Sequence, residues 1–284
     1  MEKIVVEVGS TCTKVDKYDG ENITHINTVT IQFKKNYKEN NRLNEDDVKK
    51  LIELVNSLEK ENIYVCGTSV FRQLEGEEKE NFLHLFKDKT GLEFNIISQE
   101  DENVLTVKGS TKNIDEALVF VGGGGSTEIS YWNNGIKDMK NNKFGVMDIM
   151  NLYPDLGEDL ASTSLEEVMK YIEERIIVPD VKTDILILSG GGHEYFARNS
   201  GVRYETNTLY KDKNEEIMMD IETRIEDTKK YYTQISLDEI RNRVDDPNWW
   251  YATRAMCAFV LVVAKKVGAK YIVPTNISMI YGLI

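Results

Sequence analysis

The chain has 284 residues, 41% of them hydrophobic, and a formal net charge of -13 at pH 7. That length fits one large or two medium domains with a real core, and four prolines without biased tracts argue against long disordered segments. The acidic balance argues against nucleic acid and anionic membranes as partners, yet leaves room for phosphate held by a metal ion and backbone N–H groups.

Residues 3–8 are mostly apolar and β-branched and predict a buried strand entering Gly9-Ser10-Thr11. Tyr18-Asp19-Gly20 is a turn signal, so a hairpin and a third strand, about Ile23 to Phe33, follow. Val48, Leu51, Ile52, Val55 and Leu58 make the apolar stripe of a helix near 44–60, with Asn44 as its cap. A strand Ile63 to Cys66 runs into Gly67-Thr68-Ser69, a helix near 77–89 ends at Gly91, and a strand 93–97 leads to Ser98. Ser98-x-x-Asp101 is an N-cap signal for the next helix.

A second unit starts near Asp115 with a strand, Leu118 to Val121, and then four glycines. Glu128 to Trp132 and Ile136 to Phe144 predict a hairpin across Asn133-Asn134-Gly135. Ser164 opens a helix to about Ile177, and the strand Asp184 to Leu188 ends in Ser189-Gly190-Gly191-Gly192. A long polar helix is expected over 213–231 with the narrow stripe Ile217, Met218, Ile221 and Ile225, and Ser236-x-x-Glu239 caps a short one. Pro247 starts a helix to about Val267, and Tyr271 to Val273 is the last strand. Its apolar run, Ala255 to Ala264, is too short for a membrane span. Each half thus begins with a strand, a glycine turn and a hairpin. This predicts an α/β protein of two similar domains, 1–114 and 115–284, with the boundary near 112–116 and a ligand cleft between them. Three widely spaced cysteines, Cys12, Cys66 and Cys257, give no disulfide framework and, with no leader pattern, point to the cytoplasm.

The glycine turns carry the first chemical signal. A phosphate approaching a strand end needs free N–H donors and no obstructing side chain, and a following Ser or Thr adds a hydroxyl. Gly9, Ser10 and Thr11 in the first half, and Gly123, Gly124, Gly125, Ser126 and Thr127 in the second, predict two walls of one phosphate-binding cleft. Glu7, Glu102 and Glu128 stand beside strand ends near these turns. Hydrolysis of a phosphoanhydride needs a positioned water, a base and a cation, roles that three acids can divide. The alternatives are a Glu102 that only stabilises its helix N-terminus and a Glu128 that faces solvent. Arg72 has the fork geometry for phosphate oxygens, with a surface salt bridge as its alternative. Trp249 and Trp250 fit core packing better than base stacking. His25 and His84 lack metal-ligand spacing, and His193 after its glycine turn reads as an ordinary loop residue, with a ligand contact as the alternative.

Gly67-Thr68-Ser69-Val70-Phe71-Arg72 resembles the GTxxxR segment of the exopolyphosphatase/guanosine pentaphosphate phosphatase (Ppx/GppA) family. Ile96 to Glu102 is similar to its IISGxEE segment, and Leu118 to Ile129 to its LVVDIGGGSTEL segment. The resemblance implies the actin/Hsp70/sugar-kinase superfold, with two ribonuclease-H-like domains. It implies Glu102 as catalytic base, Arg72 on phosphate, Glu7 and Glu128 near a divalent metal (Mg2+) and water, and both glycine turns as phosphate loops. The implied substrate is inorganic polyphosphate or pppGpp, and the expected assembly is a homodimer. The chain departs from the family pattern at Glu7, Val121 and Asn276, where the family has Asp. Those changes leave open a phosphate or nucleotide sensor without turnover. Leu186 to Gly192 also resembles the adenosine-side loop of sugar kinases, which leaves open an ATP-dependent enzyme of the same superfold.

Overall fold

The computed structural model describes residues 2–10, 12–40, 42–59, 61–112, 114–190, 192–206, 217–242 and 252–283. The chain divides into two compact units, Met1–Glu102 with Leu283–Ile284, and Asn103–Gly282. The division falls between Glu102 and Asn103, whereas the sequence places it near 112–116.

The first unit holds β1 (Lys3–Val8), β2 (Cys12–Tyr18), β3 (Ile23–Thr30), α1 (Phe33–Asn40), α2 (Glu45–Asn56), β4 (Ile63–Gly67), a 3-10 turn (Ser69–Gln73), α3 (Gly76–Thr90), β5 (Phe94–Ile96) and the start of α4 (Gln99–Ser110). Its sheet order is β3-β2-β1-β4-β5. The β1/β2 and β2/β3 pairs are antiparallel; β1/β4 and β4/β5 are parallel. Strand alternation sends Val6, Val8 and Val15 to one face, where Val48, Leu51 and Val55 of α2 and a cluster of phenylalanines cover them. Asn44 caps α2 by accepting the Asp46 and Asp47 amides at 2.9 and 3.3 Å, and left-handed Gly91 (φ 76°) ends α3. Phe33, expected to close the third strand, instead opens α1: its ring is buried edge-on to Phe71 with centroids 5.0 Å apart.

The second unit continues α4 and adds β6 (Glu116–Gly122), β7 (Thr127–Asn133), β8 (Ile136–Asn142), α5 (Val146–Leu152), α6 (Leu165–Glu173), β9 (Ile185–Leu188), α7 (His193–Asn199), β10 (Glu205–Thr206), β11 (Ile217–Asp220), α8 (Ile221–Thr233), α9 (Leu237–Arg241), α10 (Thr253–Val267), β12 (Tyr271–Pro274) and α11 (Ile280–Leu283). The sheet order is β10-β11-β12-β9-β6-β7-β8. Its stretch β8-β7-β6-β9-β12 repeats β3-β2-β1-β4-β5 strand for strand, directions included. Both units therefore have the ribonuclease-H-like arrangement of the actin-like superfold. Leu118, Phe120 and Ile129 face the larger core, under an α10 that is buried on nearly every side. Ala117, Val119, Ile187 and Val273 face the other way, against Val107 of α4.

The helix expected over 213–231 is corrected where it is described. Residues 217–220 are strand β11, paired antiparallel with β12, and the helix begins only at Ile221. Ile217, Met218 and Met219 are buried in that sheet, a tertiary pairing that overrides their helix-compatible spacing. Asp220 caps α8 by accepting the Glu222 and Thr223 amides. Trp249, Trp250 and the Pro247 helix start lie outside the described residues. Among the described residues no helix is long and apolar enough to cross a membrane.

Candidate active site

The two glycine turns are built alike. In the first unit the Gly9 amide donates to the Cys12 carbonyl at 2.9 Å, and the Ser10 carbonyl accepts the Lys34 amide at 2.9 Å. In the second unit the Gly123 amide donates to the Ser126 carbonyl at 2.9 Å, and the Gly124 carbonyl accepts the Met147 amide at 2.8 Å. Lys34 and Met147 are the second residues of α1 and α5, so each turn is tied to the N-terminus of the helix after its third strand. A Cβ at Gly9 would stand 2.9 Å from the Cys12 carbonyl oxygen, and one at Gly123 2.9 Å from that of Ser126. Gly145 is needed as well: its Cβ would come within 2.6 Å of the Gly123 and Gly124 backbone. Thr11 lies outside the described residues.

Glu7 in β1 is in register with Lys14 of β2 and Cys66 of β4. Its Oε2 is buried with no hydrogen-bond partner among the described residues, and so is Ser10 Oγ. Arg72 rides on the 3-10 turn after β4. Phe71 anchors that turn in the core, with its ring centroid 4.8 Å from that of Phe94. Gly67 permits this packing, because a Cβ there would sit 2.5 Å from the Phe94 ring. From the turn, Arg72 Nη1 donates to Glu102 Oε2 at 2.6 Å and to the Ile97 carbonyl at 3.2 Å. Ser98 Oγ accepts the Asp101 amide at 3.0 Å, capping α4 and fixing Glu102 in its first turn. The salt-bridge partner of Arg72 is thus the acid expected to act as base. Burial first, then the charges of Glu7 and Glu102, push the Cys66 thiol far above its ordinary range. Both carboxylates therefore lie around one buried thiol of the sheet.

In the second unit Glu128 is 7% exposed, so it does not face solvent. It stands in register with Val121 of β6 and Asn141 of β8. Asn103 of α4 donates to Asn141 Oδ1 at 3.2 Å and accepts from Ser130 Oγ at 2.9 Å, so this end of the sheet face is polar and packed. Val121 precedes Gly123 as Glu7 precedes Gly9. The repeat therefore places an acid on the first strand of one unit, with Lys14 across from it, and a valine on the first strand of the other, with Glu128 across from it. Thr127 spends its hydroxyl on the Phe144 carbonyl at 2.8 Å. Gly122 is a packing glycine, since its Cβ would meet Phe120 at 2.7 Å and Met256 at 2.9 Å.

The Ser189 turn is tied internally: Ser189 Oγ and the Gly190 amide both donate to the Ile277 carbonyl, at 2.6 and 2.8 Å. Asn276 is exposed. Among the described residues no group of three or more His, Cys, Asp or Glu is placed to hold a metal ion, and Cys66 and Cys257 are buried free thiols.

His193, at the start of α7, lies edge-on to Phe120 with centroids 6.4 Å apart. Burial and the nearby Arg224 guanidinium push its imidazole down to about 4 from 6.5. Below 6.5 the unfolded chain takes up a proton that the folded chain refuses, so stability falls as pH drops from 6.5 toward about 4. A tenfold change in proton affinity is worth about 1.4 kcal/mol, and partial exposure of the residue reduces the full effect to on the order of 2 kcal/mol. Urea midpoints measured across that window should fall in the wild type and fall less in His193→Gln. Parallel curves would show that another group sets the acid limb.

A family model, the Ppx/GppA phosphatase family, matches residues 15–242. The chain belongs to the Ppx/GppA phosphatase family. Among solved structures, the Ppx/GppA phosphatase of Aquifex aeolicus is similar at 16% identity, with 100% of this chain and 98% of that one covered and a TM-score of 0.76. An exopolyphosphatase from Cytophaga hutchinsonii is similar at 13% identity, with 99% and 96% covered and a TM-score of 0.74. Nucleoside triphosphate hydrolases from Neospora caninum follow at 9% identity, 97% and 88% covered, and a TM-score of 0.58. A search of curated proteins finds no match. At these identities the structures show a shared fold, and the family model carries the membership. As a Ppx/GppA member, the protein is a hydrolase of the phosphoanhydride kind.

Proposed function

We propose that the protein removes terminal phosphate from inorganic polyphosphate or pppGpp in a Mg2+-dependent reaction. The observation that carries this is the Arg72–Glu102 pair, at 2.6 Å, on the same unit as the orphaned Glu7 oxygen. Arg72 can share its guanidinium between Glu102 and an incoming phosphate, because the fork has donors to spare. Glu102 then accepts the proton of a water attacking the terminal phosphorus, and Arg72 offsets the charge that develops. The tied-down carbonyls of the glycine turns leave amides such as those of Gly124 and Gly125 as the groups a phosphate would meet.

The donors present suit Mg2+, which is commonly held by one or two carboxylates together with substrate phosphates and water. Glu7, with its orphaned oxygen, would hold it in the first unit, and Glu128, on the strand beside Val121, is the acid next to the second unit's glycine turn. The ion would supply positive charge to the phosphate oxygens. The test is phosphate release from tripolyphosphate and pppGpp with Mg2+, after chelation, and after Mg2+ is restored. Release that chelation abolishes and Mg2+ restores is expected. No release from either compound would sink the proposal.

Val121 favours a second reading, a phosphate sensor without turnover. Calorimetric binding of tripolyphosphate without any release would support it, and any turnover would rule it out. A third reading is an ATP-dependent enzyme of the same superfold: in the Ser189 turn the Ser189 hydroxyl and the Gly190 amide go to Ile277, and failure to bind ATP would count against it.

A further inference from the structure

The sheet face that carries Glu7 carries a second polar group. Register puts Glu7, Lys14 and Thr28 in one row across β1, β2 and β3, and Val5, Asp16 and His25 in the next. In an unbroken strand, residues 25 and 28 would point to opposite faces. Here Val15 faces Asn27 and Asp16 faces His25, so Ile26 is the extra residue of a bulge. The bulge returns Thr28 to the face of His25. His25 Nδ1 then lies 2.9 Å from Asp16 Oδ1, and His25 Nε2 lies 3.0 Å from Thr28 Oγ1. A carboxylate only accepts, so a neutral His25 carries its hydrogen on Nδ1 and leaves Nε2 to accept from the Thr28 hydroxyl. Asp16 is buried, while the His25 side chain is 53% exposed and Thr28 is open. An acid that orients an imidazole, which in turn accepts from a hydroxyl, is the wiring of an activated nucleophile. Lys14, directly across from Thr28, adds positive charge for an anionic donor.

We propose that Thr28 is a phosphoryl acceptor, modified by the protein itself from a phosphoanhydride or an acyl phosphate. The phosphoanhydride donor rests on the function proposed above, whereas activation of the hydroxyl does not. Thr28 Oγ1 bonds to the terminal phosphorus and gives its proton to His25 Nε2. The bond from phosphorus to the bridging oxygen breaks, and the leaving phosphate or carboxylate keeps the electron pair. The products are phosphothreonine and a donor shorter by one phosphoryl group. No oxidant or reductant is involved.

The full chain is incubated with Mg2+ and tripolyphosphate, and separately with acetyl phosphate, then quenched in acid and mapped by mass spectrometry. One acid-stable phosphoryl group on Thr28 is expected with both donors. Its rate should fall at least about tenfold in His25→Ala and in Asp16→Asn. Thr28→Ser should keep the modification and Thr28→Val should lose it, with melting temperatures near that of the wild type. The Asp16→Asn rate separates activation from simple structural support, because a structural bond alone would move the melting temperature and not the rate. A group on Thr28 from acetyl phosphate alone keeps the activated hydroxyl and overturns the anhydride donor. An acid-labile group on His25, or no group from either donor, overturns the proposal.

Discussion

Glu102→Gln should lower the rate of phosphate release by about 10²–10⁴-fold while leaving KM for tripolyphosphate little changed. In activation free energy that is about 3–5 kcal/mol. Glutamine keeps the shape of the side chain and still accepts the Arg72 Nη1 bond through its amide oxygen, so the ion-pair geometry at 2.6 Å persists as an ordinary hydrogen bond. What disappears is the basic oxygen that takes the proton of the attacking water. Arg72→Lys should behave differently, because a point charge cannot fork between Glu102 and a phosphate, so KM should rise along with a loss in kcat. Steady-state kinetics on the two variants separate the roles. An unchanged rate in Glu102→Gln would remove Glu102 from the chemistry and leave it as a helix-terminal acid paired with Arg72.

The local parts of this arrangement were legible in the sequence. Gly91, Asn44, Ser98 and Ser236 act where their cap signals stand, because a cap is written within four residues. The strand–glycine–hairpin pattern exposed the duplication for the same reason. Other parts depend on residues far apart in the chain. Lys34 and Met147 close the turns through backbone amides, which no side chain announces. Helix α1 has no acidic first turn, and its first residue, Phe33, belongs to a ring cluster drawn from three other segments. The spacing of Ile217, Met218, Ile221 and Ile225 suits a helix, but β11 pairs with β10 through Ile217 and Met218 and with β12 through Met219 and Asp220, which buries the first two in a sheet. Arg72 and Glu102 each carried a chemical signal, while the bond between them spans 30 positions. Burial of Glu128 was not legible, since Thr127, Glu128, Ile129 and Ser130 are all buried and no inside–outside alternation marks that end of β7.

Arg254→Met should cost about 3–5 kcal/mol, the largest stability loss expected from a single change outside the candidate site. Arg254 is fully buried, yet its partners are carbonyls rather than carboxylates. Nε donates to Tyr231 at 2.9 Å, Nη1 to Leu156 and Glu158 at 3.3 and 2.7 Å, and Nη2 to Asp159 and Ile235 at 2.7 and 3.1 Å. One planar fork thereby joins the end of α8, the turn after α5 and the start of α10. Methionine fills part of the volume but leaves those acceptors buried and unpaired, and unpaired buried acceptors cost about 1–3 kcal/mol each before relaxation. Lysine would do little better, because three donors on one nitrogen cannot reach acceptors spread around a plane. For a unit of this size, thermal unfolding should move down by roughly 10 °C, read by circular dichroism. The loss should also reach the second glycine turn. Met256, two residues along α10, is one of the two side chains that a Cβ at Gly122 would strike, so a loosened α10 start removes the support behind that turn. Weaker tripolyphosphate binding at temperatures where Arg254→Met is still folded is therefore expected, and unchanged affinity there would show that the turn holds its shape through α5 and Gly145 alone.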